Sequence, residues 1–531
     1  MHRSPEYDVV IIGSGFGGAC TAAALVRAGK RVLMLERGDW VQRGPHNWEP
    51  DGSLDLTPYY SKETPYDVAP GSDTTASLLD RLVTGRTKTK EVGGYHCVGG
   101  PSVFYGAVSL RLRVEDFEPA AEIRGDSEAE WPYRYEEIEP FYAAAEDLLG
   151  VAGVAGQDPT EPPRSGPYGA APAELSDTSR MIGDAARRLG LQPFQLPLAI
   201  NYEATDSRAG CVACTTCDSF ACAIGAKNDV ATRVLPPLLD EGMELRAGVV
   251  VTRLVRDGAR IRAVECVDRT SGEELTFRGR QIVLAAGALA SPLLLLASEL
   301  ERVNPGGDAV GRYLTRHSNA IEFGLFRSPV NPKEQFHKQI GFHDFYFGHP
   351  DVRSPIGKLG GIQQLQSPPV GLVKAHLPPL VGELVGALLI PRTTGLLVMA
   401  EDEPRADNQI RVDGSRRDQF GLPRAVIRHA YTARDLAARD ALLGQSRRIL
   451  REAGAVWTYS HYIHTFSHAA GTVRMGSDPA TSVVDAHGRF RGVENLRVVD
   501  ASVIPAGGGL NPSLTIAANA LRVGEHLLGD L

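Results

Sequence analysis

The spacing of apolar residues at the start of the chain predicts a compact βαβ unit. Tyr7 to Ile12 (YDVVII) is an unbroken run rich in β-branched residues, the pattern of a parallel strand buried on both faces. A glycine turn follows. ACTAAALVRA then reads as a helix that Gly29 ends, and Arg31 to Leu35 is the next strand. Further on, residues from about 40 to 90 are rich in Pro, Gly, Asp and Thr without a clear period, which predicts a long excursion over the surface. Trp131 to Gly150 predicts a helix from Tyr135 onward, and Gln157 to Ala173 a Pro/Gly-rich linker. Glu244–Leu254, Ala259–Val267 and Gln281–Ala286 read as strands. Residues 316–465 are mixed and broken by prolines, as a second domain would be, and the last 60 residues return to strand, turn and helix. No internal repeat stands out.

At 531 residues the chain is long enough for two to four folding units. Apolar residues make up 43% and charged residues 23%, an ordinary globular balance. The formal charge of −8 supplies no basic field for nucleic acid. MHRSPEYDVV has neither an apolar signal core nor a twin arginine, so the expectation is a cytoplasmic protein. The longest apolar stretch, Val370 to Ala400, is interrupted by Lys374, Glu383 and Arg392. It reads as a buried or cleft-lining segment, with a patch lying on a membrane surface as the alternative.

The turn after the first strand satisfies G-x-G-x-x-G at Gly13, Gly15 and Gly18. The first glycine permits the tight turn, the second lets a pyrophosphate approach the backbone, and the third lets helix pack on strand. The helix N-terminus beyond it offers N–H groups and a positive dipole end to phosphates. Glu36 ends the second strand, 18 residues after Gly18, where a carboxylate accepts from ribose hydroxyls and repels a 2′-phosphate. This predicts a dinucleotide site and disfavours NADP.

Several further segments bear on which dinucleotide. Gly99-Gly100-Pro101-Ser102-Val103-Phe104-Tyr105-Gly106 leads to Arg111 and Asp116-Phe117, and Ala286-Gly287-Ala288-Leu289-Ala290-Ser291-Pro292 lies further on. Glu401-Asp402-Glu403-Pro404 is followed by Asn408. The C-terminal run passes through His468-Ala469-Ala470-Gly471-Thr472 and Asn495 to Ser502, and ends in Asn511-Pro512-Ser513-Leu514-Thr515. In this order the segments resemble the glucose–methanol–choline (GMC) oxidoreductases.

The resemblance implies an α/β fold: a Rossmann-type FAD-binding domain with a second, α+β substrate domain built on an antiparallel sheet. On that plan residues 1–130 and 205–315 belong to the FAD domain, 131–204 are a helical segment and linker, 316–465 bind substrate, and 466–531 return to the FAD domain with the catalytic residues. It implies FAD contacts at Gly13, Gly15, Phe16, Gly18, Glu36, Arg37, Gly99, Gly100, Ser102, Val103, Tyr105, Gly106, Val251, Ala286, Gly287, Asp500, Ala501, Asn511, Pro512 and Ser513. Phe104 stands where some members attach FAD through a histidine, so the expectation is non-covalent FAD.

Oxidising an alcohol removes a hydroxyl proton and a hydride from one carbon, and a neutral imidazole is suited to take the proton. His461, His464 and His468 crowd one region, and their spacing does not choose among them. The resemblance selects His468 as base, with Asn511 as its partner on the substrate oxygen. Asn511-Pro512 also reads as the cap and first residue of the helix SLTIAANALRVGEHLL, a competing use of the same side chain.

Of seven cysteines, Cys211, Cys214, Cys217 and Cys222 fall within twelve residues. Their C-x2-C-x2-C-x4-C spacing leaves an iron–sulfur cluster, zinc, or structural cysteines open. Cys20 and Cys266 read as small buried hydrophobes. The leading expectation is an FAD-dependent oxidoreductase of an alcohol: a sugar, glycoside, aminoglycoside or lipophilic alcohol. A protein or quinone could accept the electrons. A hydroxynitrile-type lyase on the same scaffold and a non-catalytic flavin-binding protein are the alternatives.

Overall fold

The computed structural model describes residues 7–48, 60–73, 91–352, 356–367, 380, 384, 386 and 388–531. Of the apolar stretch at 370–400 noted above, residues 370–379, 381–383, 385 and 387 therefore lie outside the described residues.

The opening run forms the strand Tyr7–Ile12 at the centre of a five-stranded parallel sheet. Val32–Leu35 and then Glu244–Arg246 lie to one side of it, and Gly279–Leu284 and then Leu496–Val498 to the other. The chain thus leaves the central strand in one direction and later returns to its other flank. The crevice at the carboxyl end of that strand is the topological switch point, where such sheets bind ligands. The helix Phe16–Arg27 packs against the last helix, Ser513–Leu528, and a methyl at Gly524 would stand 2.9 Å from the Ala24 Cβ. The two ends of the chain therefore share one core.

The run at 244–254 is two strands. Gly248, with a φ of 72°, breaks it, so Glu244–Arg246 joins the parallel sheet. Val249–Asp257 instead forms a three-stranded antiparallel sheet with Arg260–Asp268 and Glu274–Phe277. The 40–90 region is more than an excursion. Tyr60–Val68 pairs in parallel with Pro423–Arg428 and antiparallel with Glu91–Tyr95, inside a four-stranded sheet. Long-range pairing supplies the order that no local period announced.

A six-stranded antiparallel sheet runs Trp457–Tyr462, Ser318–Leu325, Thr393–Ala400, Gly360–Leu365, Ile340–Phe342 and Phe194–Gln195. The helix Ala433–Glu452 covers one face. This sheet encloses its own apolar core, of which Ile362, Leu396, Val398 and Leu442 are part. Among the described residues no helix is long and apolar enough to cross a membrane.

Candidate active site

The glycine turn is tightly packed everywhere but one point. A methyl on Gly13 would overlap the Ala285 carbonyl, one on Gly18 the Gly13 carbonyl, and one on Gly17 would come 2.6 Å from the Val499 carbonyl. At Gly15 a methyl would meet nothing within 4 Å. The turn therefore opens at Gly15 alone. Beside that opening, a methyl on Gly100 would stand 3.5 Å from the Gly15 Cα, and Gly99 N–H donates to Ser14 Oγ at 2.9 Å. The 3-10 segment Gly100–Phe104 thus runs along the turn. Val103 is buried in a small core with Phe104, and the Ser102 hydroxyl donates to the Gly99 carbonyl. Phe16 packs edge-on against Tyr105, whose hydroxyl donates to the Asn228 carbonyl.

Glu36 is buried, and its carboxylate accepts from Ser14 N–H, Ser14 Oγ–H and Gly38 N–H. Burial pushes its pKa up, and these donors pull against that shift. Both Ser14 donors fall on Oε2 and the Gly38 N–H on Oε1. Arg37, next in the chain, lies over the Phe420 ring. Val251 is on the three-stranded sheet, whose first residue, Val249, donates its N–H to the Glu36 carbonyl at 2.9 Å.

On the other flank, Asp500 accepts from Gly287 N–H, Ser291 Oγ–H and Ser502 N–H, which locks the Ala286-Gly287 turn to the Asp500-Ala501 turn. Gly287 has a φ of 91°, and a methyl there would also meet empty space. An open glycine facing a second glycine segment, a buried carboxylate at a strand end and a second open glycine turn make a cradle that fits FAD.

His468 and His317 meet with their Nδ1 atoms 3.0 Å apart and their rings nearly perpendicular. The backbone explains the meeting. Thr315 and Ala470 exchange both hydrogen bonds of an antiparallel bridge, at 3.1 and 2.9 Å, two residues from each imidazole. Gly471 and Val473 N–H in turn donate to the Ala501 and Ser502 carbonyls, so the His468 segment is fixed to the cradle. His317 has a φ of 58°, held by Asp402, which accepts the Arg316 and His317 N–H groups. Desolvation, with the His317 and Lys338 charges acting the same way, pulls the His468 pKa down to about 3. Desolvation also lowers that of His317. Both imidazoles are neutral at working pH.

Asn511 is not the helix cap. Pro512 holds the cap position, no side chain caps the helix, and Ser513 is its first residue. The Asn511 Oδ1 instead accepts from Gln363 Nε2, and the Oε1 of that buried glutamine has no hydrogen-bond partner. Just upstream, the Gly507–Gly509 turn is gripped from below. Glu401 accepts Gly508 N–H, and the Tyr346 hydroxyl accepts Gly509 N–H while donating to Asp116. The buried Lys358 ammonium pairs with both Asp116 and Glu401. Burial alone would lower the Lys358 pKa, but the two carboxylates outweigh it and hold it above the ordinary lysine value.

The cysteine segment is a correction to the metal reading. Among the described residues no three His, Cys, Asp or Glu side chains are arranged to hold a metal ion. Cys211, Cys214, Cys217 and Cys222 are all free thiols. The buried Lys227 ammonium collects the carbonyls of Tyr105, Cys217 and Phe220 at 2.7–2.9 Å, so the loop is wound around a lysine. The Cys217 thiol is buried against the core, and the Cys211 sulfur accepts Ala213 N–H. Cys20 and Cys266 are buried, as expected.

Sequence reasoning missed His317, Gln363 and the ion pair Lys338–Asp218, which is 2.7 Å long and packed so closely on Gly106 that a methyl there would overlap Lys338. None carries a local motif. His461 lies on the edge strand of the six-stranded sheet, paired with Ile321, and His464 follows that strand, its carbonyl accepting from Arg316.

A family profile described as GMC oxidoreductase matches residues 68–319 with its N-terminal part and 404–520 with its C-terminal part. A profile described as an NAD(P)-binding Rossmann-like domain matches residues 11–41. The chain is 33% identical to 6'''-hydroxyparomomycin C oxidase of Streptomyces lividus, covering 99% of this chain and 92% of that protein. It is also 33% identical to paromamine 6'-oxidase of Streptomyces fradiae, with the same coverage. Among solved structures, pyridoxine 4-oxidase from Mesorbium loti superposes with a TM-score of 0.67 at 21% identity, covering 99% of each chain.

Proposed function

The chain belongs to the GMC oxidoreductase family, FAD-dependent enzymes of the CH–OH group, and from that premise we propose that it oxidises an alcohol group of an aminoglycoside with His468 as base. The observation that carries the catalytic part is the neutral His468 imidazole, paired to His317 and fixed by backbone to the Asp500–Ser502 turn. The substrate class is supported by the 33% identity to two oxidases whose names specify a paromomycin-type and a paromamine substrate.

In this reading FAD, held without a covalent bond, would supply the acceptor for the hydride of the alcohol carbon. Gly13, Gly15 and Gly18, the Gly99–Gly106 segment, Glu36, Ala286-Gly287 and Asp500-Ala501 hold the dinucleotide. Phe104 offers no nucleophile for a covalent link, and its ring is stacked on Tyr95. His468 takes the hydroxyl proton. The Asn511 side-chain amide, its oxygen fixed by Gln363, directs its N–H toward the substrate oxygen. The first turn of the last helix lies immediately beyond and offers N–H groups and a positive dipole end.

The test is anaerobic mixing of the flavin-loaded protein with paromamine, a polyol and a long-chain alcohol. Bleaching of the flavin by paromamine at the lowest concentration supports the reading. Bleaching by the long-chain alcohol alone defeats the substrate class. A protein that stays colourless after flavin reconstitution defeats the whole of it.

A further inference from the structure

A base must present a lone pair, and a neutral imidazole presents only one. Which nitrogen of His468 carries it depends on what the other nitrogen does. The Nδ1 atom faces the Nδ1 of His317 at 3.0 Å, so one ring must donate and the other accept.

The far side of His317 decides the direction. Its Nε2 lies against the Gly507–Gly508 turn, 3.3 Å from where a Gly507 methyl would stand. Backbone hydrogen bonds from Gly507 and Gly508 act on this imidazole in the sense that stabilises its N–H, which only carbonyl acceptors do. A lone pair at Nε2 would point at carbonyl oxygens and repel them. Nε2 therefore carries the hydrogen in neutral His317, and its Nδ1 is an acceptor.

We infer that His317 is a positioning residue that fixes the His468 tautomer: the Gly507–Gly508 carbonyls hold the His317 proton on Nε2, His317 Nδ1 accepts the His468 Nδ1–H, and the His468 Nε2 lone pair is left to take the substrate proton. This rests on the reading of His468 as base. It adds a residue outside the three histidines singled out in the sequence, together with a direction for each hydrogen bond. When Nε2 takes the proton from the alcohol, His468 becomes an imidazolium whose Nδ1–H still donates to His317. Asp402, bound to the His317 backbone, places a negative charge behind the pair. No proton passes to His317, whose Nε2 already carries one.

The arrangement also accounts for the left-handed backbone at His317. Its φ of 58° is uncommon for a residue with a side chain, and three acceptor bonds at Asp402 maintain it. The bridge between Thr315 and Ala470 sets the separation of the two rings, and the turn at 317 aims one at the other.

The experiment uses flavin-loaded protein labelled with 15N-histidine, with His468 assigned by its loss in His468→Gln. We expect the His468 Nδ1 to resonate as a protonated nitrogen and Nε2 as an imine-type nitrogen. The reverse assignment overturns the inference whatever the activity.

Alongside, flavin reduction is timed in His317→Gly and His317→Asn. Glycine suits the left-handed backbone, so this variant deletes the imidazole without backbone strain. Asparagine tolerates the same φ and offers an amide oxygen near the Nδ1 position. We expect roughly a 10–100-fold slower reduction in His317→Gly, with His317→Asn recovering most of it and FAD affinity the same in both.

Reduction in His317→Gly within twofold of the parent sinks the inference. If that variant does not fold, the nitrogen assignment and His317→Asn still decide. His468→Ala separates the two levels. Undiminished reduction there removes the base reading itself, whereas a slow His468→Ala with a fast His317→Gly removes only the positioning role.

Discussion

Replacing Lys358 with methionine tests whether the Gly507–Gly509 turn depends on a buried charge network. Lys358 is 8% exposed and lies between the Asp116 and Glu401 carboxylates, themselves about 1% exposed. Methionine keeps the volume and removes the cation that pairs with both buried anions. Removing one partner of a buried pair costs about 3–5 kcal/mol, because the other charge is left without compensation. For a chain this long, each kcal/mol moves the apparent Tm by about 2 °C, so the expected loss is about 6–10 °C. Adding Glu401→Gln to the Lys358→Met protein removes one of the two charges. The glutamine oxygen can still accept Gly508 N–H, so roughly half the lost stability should return. The assay is thermal unfolding of the flavin-loaded protein at pH 8. A Lys358→Met protein within 2 °C of the parent at pH 8, or a double variant no better than the single, refutes the reasoning.

Four further outcomes are expected. Gly15→Ala should leave the Tm of the flavin-free protein unchanged and weaken FAD binding at least tenfold by fluorescence titration, because its methyl meets no protein atom and enters the open cradle. Gly18→Ala should instead fail to accumulate as folded protein, since its methyl would overlap the Gly13 carbonyl. The rate of flavin reduction should be flat from pH 5 to 8, with its acid limb near pH 3, because His468 is depressed to about 3 and is already deprotonated across that range; a limb centred on pH 6–7 would contradict the desolvated imidazole. Asp435 is buried, and burial followed by the neighbouring Asp402 charge raises its pKa to about 7, against about 3.9 when unfolded. Between those values the folded state binds the extra proton, so stability should fall as pH rises from 4 to 7. In Asp435→Asn, which can still cap the helix Ala433–Glu452, urea denaturation should find that part of the slope gone.

The parts of this protein that could be read from sequence are those in which neighbours along the chain are also neighbours in space. The βαβ unit, its three glycines and Glu36 span fewer than forty residues; Gly13 and Gly18 are required by atoms that the same turn or the adjoining sheet brings close, and Gly15 borders the open cradle. The helix from Tyr135 to Leu149 and the strands around 260 and 280 were legible for the same reason. The cysteine segment misled because spacing alone says nothing about which way a loop is wound. Lys227, five residues past the last cysteine, draws carbonyls inward and leaves the four thiols without a common centre. Asn511 had two readings at the level of sequence, and the choice rests on Gln363, a residue 148 positions away.

His317 is the sharpest case. It lies 151 residues before His468 in an unremarkable segment, and one antiparallel bridge between Thr315 and Ala470 brings them into contact. The proton arrangement of the pair then depends on a third segment, the glycine turn at 507–508, which Glu401, Tyr346, Asp116 and Lys358 hold in place. The chemistry proposed for His468 is thus a property of widely separated stretches of chain brought together by packing. Gly360, whose Cα a methyl on Gly509 would overlap, marks how closely they meet. A single histidine can be nominated from its place in a motif. Its tautomer, and hence whether it can act as a base toward a bound alcohol, is decided only by the contacts that tertiary packing creates.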